Sequence, residues 1–297
     1  MFLVVNPAAA GGRLGRQWPR IHERLRALGF DPPMAFTEAP GHATQLAAEA
    51  VKRGETVVVV AGGDGTICEA VQGLHDAGGG ILGVLPLGTG NDAARTLGVP
   101  VNLEAAAKVI TAGVTRRVDL MRADDRVVLN AIGIGLLGAI NVNSTRIKFV
   151  RGIAAYLAAA AGTLFSYDCP EIALSTGPFK FRGRMTILAI HSGVTTGGGF
   201  RLTPAALPDD GALDALLVEA TSVPTRLARL VAAVQGTVAK KPGSRELRFT
   251  RLELETAVRL PCHFDGNPSY IEPPGMTFQV LPGALDVLAP PSPRAAN

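Results

Sequence analysis

Short β-branched runs alternate with helical periodicity through the first hundred residues. Phe2–Val5 reads as a buried strand, and a helix follows over about Leu14–Leu28, where Trp18, Ile21, Leu25 and Leu28 share one face. Gly29 is a natural stop for it. Met34–Phe36 predicts a second strand and Ala43–Arg53 a second helix, closed by Gly54. Thr56–Val60 is a continuous β-branched run, the pattern of a strand covered on both faces of a parallel sheet. Ile67–Leu74 is expected as helix, Ile81–Leu85 as strand, and Asp92–Leu97 and Leu103–Ile110 as helices. This β-α-β-α rhythm predicts a doubly wound α/β domain over residues 1–118.

The rhythm then changes. Val118–Met121, Val127–Ile132, Ile172–Ser175, Arg184–His191, Ala215–Glu219, Leu247–Glu255 and Phe278–Leu281 read as strands separated by turns. Only two good helices interrupt them, about Arg151–Phe165 and Pro224–Thr237. Many strands with few helices predict a mainly antiparallel β domain over 119–285, followed by a Pro-rich tail over 286–297.

Composition changes the picture in one respect. The 297 residues include 35 Gly, about 12% against a usual ~7%, with no G-X-Y period, so the excess points to turns and ligand loops rather than collagen. The three cysteines, Cys68, Cys169 and Cys262, are far apart and read as small buried hydrophobes. The five histidines show no metal-ligand spacing. A net charge of +4 does not make a nucleic-acid binder, and the clusters Arg146-Lys148-Arg151 and Arg245-Arg248-Arg251 lack interleaved aromatics. They read as solvated faces, with attraction to an anionic membrane surface as the alternative. No apolar stretch approaches the ~20 residues of a membrane span, and MFLVVNP lacks a signal-peptide pattern, so the expectation is a cytoplasmic protein with no transmembrane segment.

In an open parallel sheet, ligands bind at the carboxyl ends of the strands. The residues following each strand are Asn6-Pro7 and then Ala-Ala-Ala-Gly11-Gly12-Arg13; Thr37; Gly62-Gly63-Asp64-Gly65-Thr66; and Pro86-Leu87-Gly88-Thr89-Gly90-Asn91-Asp92. Two Gly-rich strand–loop–helix units in succession put two sets of bare amides and two helix N-termini on one rim, a cradle for phosphate. Asp64 carries the chemical information. A carboxylate among phosphate-binding amides repels the ligand unless it holds Mg²⁺ or takes a proton, and its bland role is to cap the helix starting at Thr66.

Other nucleotide motifs fail: G-x-x-x-x-G-K-[ST] is absent, as are H-R-D, D-F-G and G-x-S-x-G. Gly133, Gly135 and Gly138 form a G-x-G-x-x-G without the ribose-binding acid about twenty residues on, which reads as a turn or inter-domain packing segment.

The strings VVNPAAAGGR, AGGDGTICEAVQGL and LGVLPLGTGNDAARTLGVP resemble the catalytic domain of the bacterial soluble diacylglycerol kinase and lipid kinase family, related to sphingosine and ceramide kinases. NAIGIG, GGGFRLTPAALPDDGALDALLVEA and HFDGNP extend the likeness over nearly the whole chain. The resemblance implies a phosphofructokinase-like α/β domain, a C-terminal β-sandwich and ATP in the cleft between them. By position, Asn6, Thr37, Gly62, Gly63, Asp64, Gly65, Thr66, Thr89 and Asn91 would serve the nucleotide. It also implies a structural Mg²⁺ on Asp210 with the carbonyls of Leu207 and Ala212, in a segment that otherwise reads as a β-turn. Relatives read Asp-Gly-Glu late in the chain, whereas this sequence reads Asp265-Gly266-Asn267, and Asn cannot take a proton. The acids left for catalysis are Asp265 and Asp64; on its own, Asp-Gly-Asn equally reads as a hairpin turn.

The expected function is an ATP- and Mg²⁺-dependent lipid kinase acting on a hydroxyl of a diacylglycerol-like lipid taken from a membrane surface, with no nucleic acid partner. Asp64 would orient the metal, Asp265 would act as base, and a homodimer is compatible with the sequence. A soluble kinase of NAD-kinase type and a catalytically impaired nucleotide or lipid sensor are the alternatives.

Overall fold

The computed structural model describes residues 1–146 and 162–291. The chain forms two compact units, Met1–Leu120 with Pro282–Asn297, and Met121–Leu281.

The first unit runs β1 (Phe2–Val5), α1 (Ala9–Ala27), β2 (Met34–Phe36), α2 (His42–Lys52), β3 (Val57–Gly62), α3 (Asp64–Asp76), β4 (Ile81–Pro86), α4 (Asp92–Leu97) and α5 (Leu103–Ala112). Its strands are parallel in the order β2-β1-β3-β4, so the core pair β1 and β3 is covered on both faces, as their unbroken apolar runs require. Leu14, Trp18, Ile21 and Leu25 of α1 are buried, as their spacing predicts. Regular helix begins only after Ala10, Gly11 and Gly12, which are all left-handed (φ 52°, 67° and 79°).

The second unit contains β5 (Thr115–Ala123, reaching in from the first unit), β6 (Arg126–Val128), β7 (Ala131–Gly135) and α6 (Leu136–Arg146). A helical stretch over 162–166, α7, precedes β8 (Glu171–Ser175), β9 (Lys180–His191), β10 (Thr195–Thr196), β11 (Phe200–Arg201) and β12 (Leu213–Glu219). Then come α8 (Val223–Gln235), β13 (Ser244–Phe249), β14 (Arg251–Thr256), β15 (Leu260–Phe264), β16 (Asn267–Ile271) and β17 (Gly275–Leu288). The long β9 serves two layers. Lys180–Arg184 pairs with β8, which continues to β14 and β17, while the stretch up to His191 pairs with β7 and β12. The architecture is the expected one: a mixed α/β N-terminal domain and a β-rich, sandwich-type C-terminal domain.

Several details differ from the sequence pattern. Leu247–Glu255 is not one strand. It breaks at Thr250 into β13, paired with β12, and β14, paired with β8 and β17. Val127–Ile132 breaks between β6 and β7 because the backbone there turns around a buried carboxylate, described below. Residues 286–289 are not tail. Asp286 and Val287 pair in parallel with Ile81 and Leu82, and Val287, Leu288 and Ala289 are buried, so this apolar run caps the edge of the first sheet. Most of the expected helix Arg151–Phe165, Lys148 and Arg151 of the basic cluster, and the end of the tail lie outside the described residues.

Candidate active site

In the first unit the two glycine loops touch each other. Gly63 and Gly88 meet backbone to backbone: a Cβ on Gly88 would sit 2.4 Å from the Gly63 Cα and 2.9 Å from the Asn91 Oδ1. Only hydrogen fits at Gly88, which is the reason for glycine there, while a Cβ on Gly63 would lie 3.3 Å from the Gly88 Cα, a tight contact but a lesser clash. The Leu87 N–H donates to the Gly62 carbonyl at 2.9 Å, extending the contact.

Side chains lock the arrangement. Asn6 leaves β1 and donates through Nδ2 to the Thr66 hydroxyl at 2.7 Å, while its Oδ1 accepts from Ala8 N–H. Asn91, held left-handed at φ 55°, accepts the Gly88 N–H at 2.9 Å. The bland alternative for Asp64 is a cap, from outside, on a helix starting at Thr66. Instead α3 starts at Asp64, and its Oδ1 accepts the Ala93 N–H of α4 at 2.8 Å. The carboxylate therefore ties the N-terminus of one helix to that of the next. Thr37 lies at the end of β2, buried, its N–H donating to the Val5 carbonyl beside Asn6. Gly65 lies in the first turn of α3, and Thr89 is exposed at the tip of the second loop.

The electrostatics single out Asp64. Burial pushes its carboxyl above the ordinary range and the charge of Asp92 adds to this, while the amide of Ala93 pulls it back. Asp92 is itself buried and paired with Arg95 at 2.8 Å. With Asp92 already neutralised by Arg95, Asp64 is the hard oxygen donor here whose anion the fold leaves unfavourable, and it fits a divalent cation.

Sequence reasoning missed one candidate. Arg13 follows the left-handed turn and lines a pocket of about 380 Å³ together with Gln17, Leu87, Gly88 and Asn91. Its signal was present in AAAGGR, directly after a strand on the ligand-binding edge. A larger cavity of about 770 Å³ lies in the second unit, but Asp124, Glu171, Glu253 and Glu255 line it, which disfavours a phosphate.

Asp265 has a different setting. Asp265-Gly266 is the two-residue turn of the β15–β16 hairpin, with both residues at positive φ (45° and 84°). Its buried carboxylate accepts the N–H groups of Leu129 (3.0 Å), Asn130 (3.1 and 3.2 Å) and Ala131 (2.6 Å), the turn between β6 and β7. Both oxygens are thus engaged in holding backbone, where the sequence reading had one free to take a proton.

The segment expected to hold a structural Mg²⁺ has its own cation. Asp210 accepts the Ala212 N–H at 3.2 Å and pairs with the Arg248 guanidinium at 2.8 Å. With its carboxylate already neutralised, this set with the Leu207 and Ala212 carbonyls does not fit a divalent cation. No group of three or more His, Cys, Asp or Glu side chains with metal-holding geometry occurs among the described residues.

The G-x-G-x-x-G is packing within the second unit. A Cβ on Gly133 would lie 2.2 Å from His263 Nε2, and one on Gly138 would lie 2.2 Å from the Pro261 carbonyl, so α6 and β15 approach β7 closely. The three cysteines are free and buried.

The model of the "Diacylglycerol kinase catalytic domain" matches residues 1–123, and that of the "YegS C-terminal NAD kinase beta sandwich-like domain" matches 130–289. The chain belongs to the YegS-like lipid kinase family. A relative from Pseudomonas savastanoi pv. phaseolicola named "Probable lipid kinase YegS-like" is 33% identical over 89% of this chain and 86% of its own length. One of the same name from Chromohalobacter salexigens is 30% identical over 97% of this chain and 93% of its own. A crystal structure titled as a diacylglycerol kinase from Bacillus anthracis shares the fold, with a TM-score of 0.72 at 24% identity, covering 98% of this chain and 96% of that one. No described helix is long and apolar enough to cross a membrane.

Proposed function

We propose that the protein transfers the γ-phosphate of ATP to a hydroxyl of a diacylglycerol-like lipid. The observation that carries this is the paired glycine loop, Gly63 against Gly88, with Asp64 tying two helix N-termini together. Amides of Gly62–Gly65 and Thr89 would receive phosphate oxygens there, the Thr66 N–H being donated to the Gly63 carbonyl, and the two helix dipoles favour the negative charge. Asn6, Thr37 and Asn91 hold the rim on which the nucleotide rests. Arg13 adds a cation beside Gly88. Mg²⁺, when bound, neutralises charge on the transferring phosphates, and Asp64 is the residue that would hold it.

Phosphoryl transfer passes through a loose transition state, so positioning and charge neutralisation carry most of the catalysis. The lipid hydroxyl therefore needs holding more than early ionisation. Asp265 then acts as a positioning residue: it fixes the β15–β16 hairpin against the turn at 129–131, and Asn267 begins the second strand of that hairpin.

Incubation with labelled ATP, Mg²⁺ and a panel of diacylglycerol, sphingoid base, ceramide, phosphatidylglycerol and NAD tests the reading. Label in a glycerolipid is the expected result. Label in NAD alone sinks it, and ATP binding without any labelled product makes the protein a sensor.

A further inference from the structure

The helix α8 buries Ala232 and Ala233 on its inner face, yet it also turns two arginines inward and three large apolar side chains outward. Its two arginines, Arg226 and Arg229, are 9% and 6% exposed, whereas Leu227, Val231 and Val234 are 43%, 61% and 61% exposed. An amphipathic helix on a globular unit normally does the reverse. The inward arginines are used as fasteners. Arg226 donates to the carbonyls of Thr221, Leu164 and Tyr167 at 2.8–3.0 Å, and Arg229 donates to that of Pro242. Through Arg226, α8 holds α7, on which Phe165 is 64% exposed. Leu227, Val231 and Val234 stand at i, i+4 and i+7, a single stripe along the helix.

The charges carried by the α8 segment itself have one sign, with Asp168 beyond Phe165 and Glu219 beside Arg229 as the anions bordering it. No Asp or Glu occurs from Ala220 to Arg245. Lys240 and Lys241 are exposed just beyond the C-terminal end of α8, and exposed Arg201 packs against Gly236 there. An apolar stripe flanked by cations with no anion in the segment complements a bilayer containing anionic lipid: side chains enter the acyl boundary while the lysines remain at headgroup level.

We propose that this face of α8, with Phe165, docks the protein on an anionic membrane surface. The choice of a bilayer as occupant rests on the lipid-kinase reading, since a water-soluble acceptor requires no such contact.

The test is co-sedimentation of the full chain with vesicles of phosphatidylcholine, alone or with a quarter phosphatidylglycerol. The wild type should pellet with the mixed vesicles, and the triple variant L227E/V231E/V234E should lose at least tenfold in partition coefficient. The pair K240E/K241E should lose the preference for phosphatidylglycerol. All three positions of the triple variant are exposed, so its Tm should match the wild type, and it should phosphorylate dispersed short-chain diacylglycerol at the wild-type rate. Equal partitioning of the wild type and triple variant, or no partitioning of the wild type, overturns the proposal. So does a wild-type dimer in lipid-free buffer that the triple variant converts to monomer without a change in vesicle binding, because a second copy then covers the stripe. Loss of vesicle binding in the triple variant with no acceptor phosphorylated by either protein leaves the docking surface standing and removes the kinase reading instead.

Discussion

Gly88→Ala is the sharpest perturbation of the phosphate cradle. The added methyl would lie 2.4 Å from the Gly63 Cα and 3.2 Å from its nitrogen, and both are backbone atoms that cannot rotate away. Carbon atoms pack at ~3.5–4.0 Å, so the two loops must separate by about 1 Å. Overpacking of this kind costs about 1–3 kcal/mol, which for a chain of this size lowers Tm by roughly 2–5 °C. The effect on the ligand is larger. Amide-to-phosphate hydrogen bonds contribute about 1.5–3 kcal/mol each, so misdirecting one raises the Kd for ATP about 10–150-fold. Calorimetric titration with ATP, beside thermal unfolding, reads both numbers. Gly162→Ala is the control: a Cβ there meets open space in a helical stretch, so Tm should hold or rise and ATP binding should be unchanged. Wild-type ATP affinity in Gly88→Ala would refute the cradle, whatever its Tm.

Four further outcomes follow from the same geometry. Asp64→Asn keeps an oxygen for the Ala93 N–H and removes a buried charge beside Asp92, so turnover should vanish while Tm at neutral pH rises. Because the folded carboxyl is raised, ionising it costs stability as pH climbs past its ordinary 3.8; the gain in Tm should therefore shrink as the pH of the melt is lowered toward that value. Asp265→Asn offers one acceptor oxygen to three amides, and each donor left unsatisfied costs about 1–3 kcal/mol, so Tm should fall while the Kd for ATP stays put. Chelation with EDTA should leave the wild-type Tm unmoved, since Arg248 supplies the positive charge at Asp210, whereas Arg248→Ala should melt lower and gain stability with millimolar Mg²⁺. Burial depresses His191 to about 3 and His263 to about 4, so both fold neutral; chemical denaturation should show stability declining as pH falls from about 6.5 toward 4, with a shallower slope in His191→Gln.

The first unit was legible because each of its signals is local. The β-branched run before Gly62, the stop at Gly98 and the spacing of Trp18, Ile21 and Leu25 depend on neighbours in sequence, and Phe2–Val5, Met34–Phe36 and Asp92–Leu97 form as read. The second unit answers to partners far along the chain. Whether Leu247–Glu255 is one strand or two depends on which sheets flank it, and β9 and β17 run longer than their apolar runs because they pair on several sides. The β15–β16 hairpin was visible only as a turn option at Asp-Gly. In the cradle, the residue types were readable, but the contact of Gly63 with Gly88 joins two loops, and no single-loop motif encodes it. Arg248 was legible only as one of three clustered basic residues on a solvated face. Its pairing with Asp210 spans 38 positions.

The two Asp-Gly dipeptides show how far a shared motif leaves the chemistry undetermined. Asp64-Gly65 and Asp265-Gly266 offer the same pair of residues, and both acids were candidates for catalysis. Asp265 sits in a hairpin where three amides converge on its oxygens, so its negative charge is already paired with dipoles and serves to hold backbone. Asp64 sits at a helix start where burial and Asp92 work against its charge, with the Ala93 amide as a partial offset. A charge that the fold leaves unfavourable can be relieved by a bound cation or proton, and that relief is what couples a site to its ligand. A charge the fold has already satisfied gains little from either. On that criterion we propose that the chemistry of this chain belongs at Asp64, and that Asn267, standing where the resemblance implies a glutamate, takes nothing from the phosphate end of the reaction. What it alters is the holding of the acceptor hydroxyl, so variants at Asn267 should change the KM for lipid before they change the Kd for ATP.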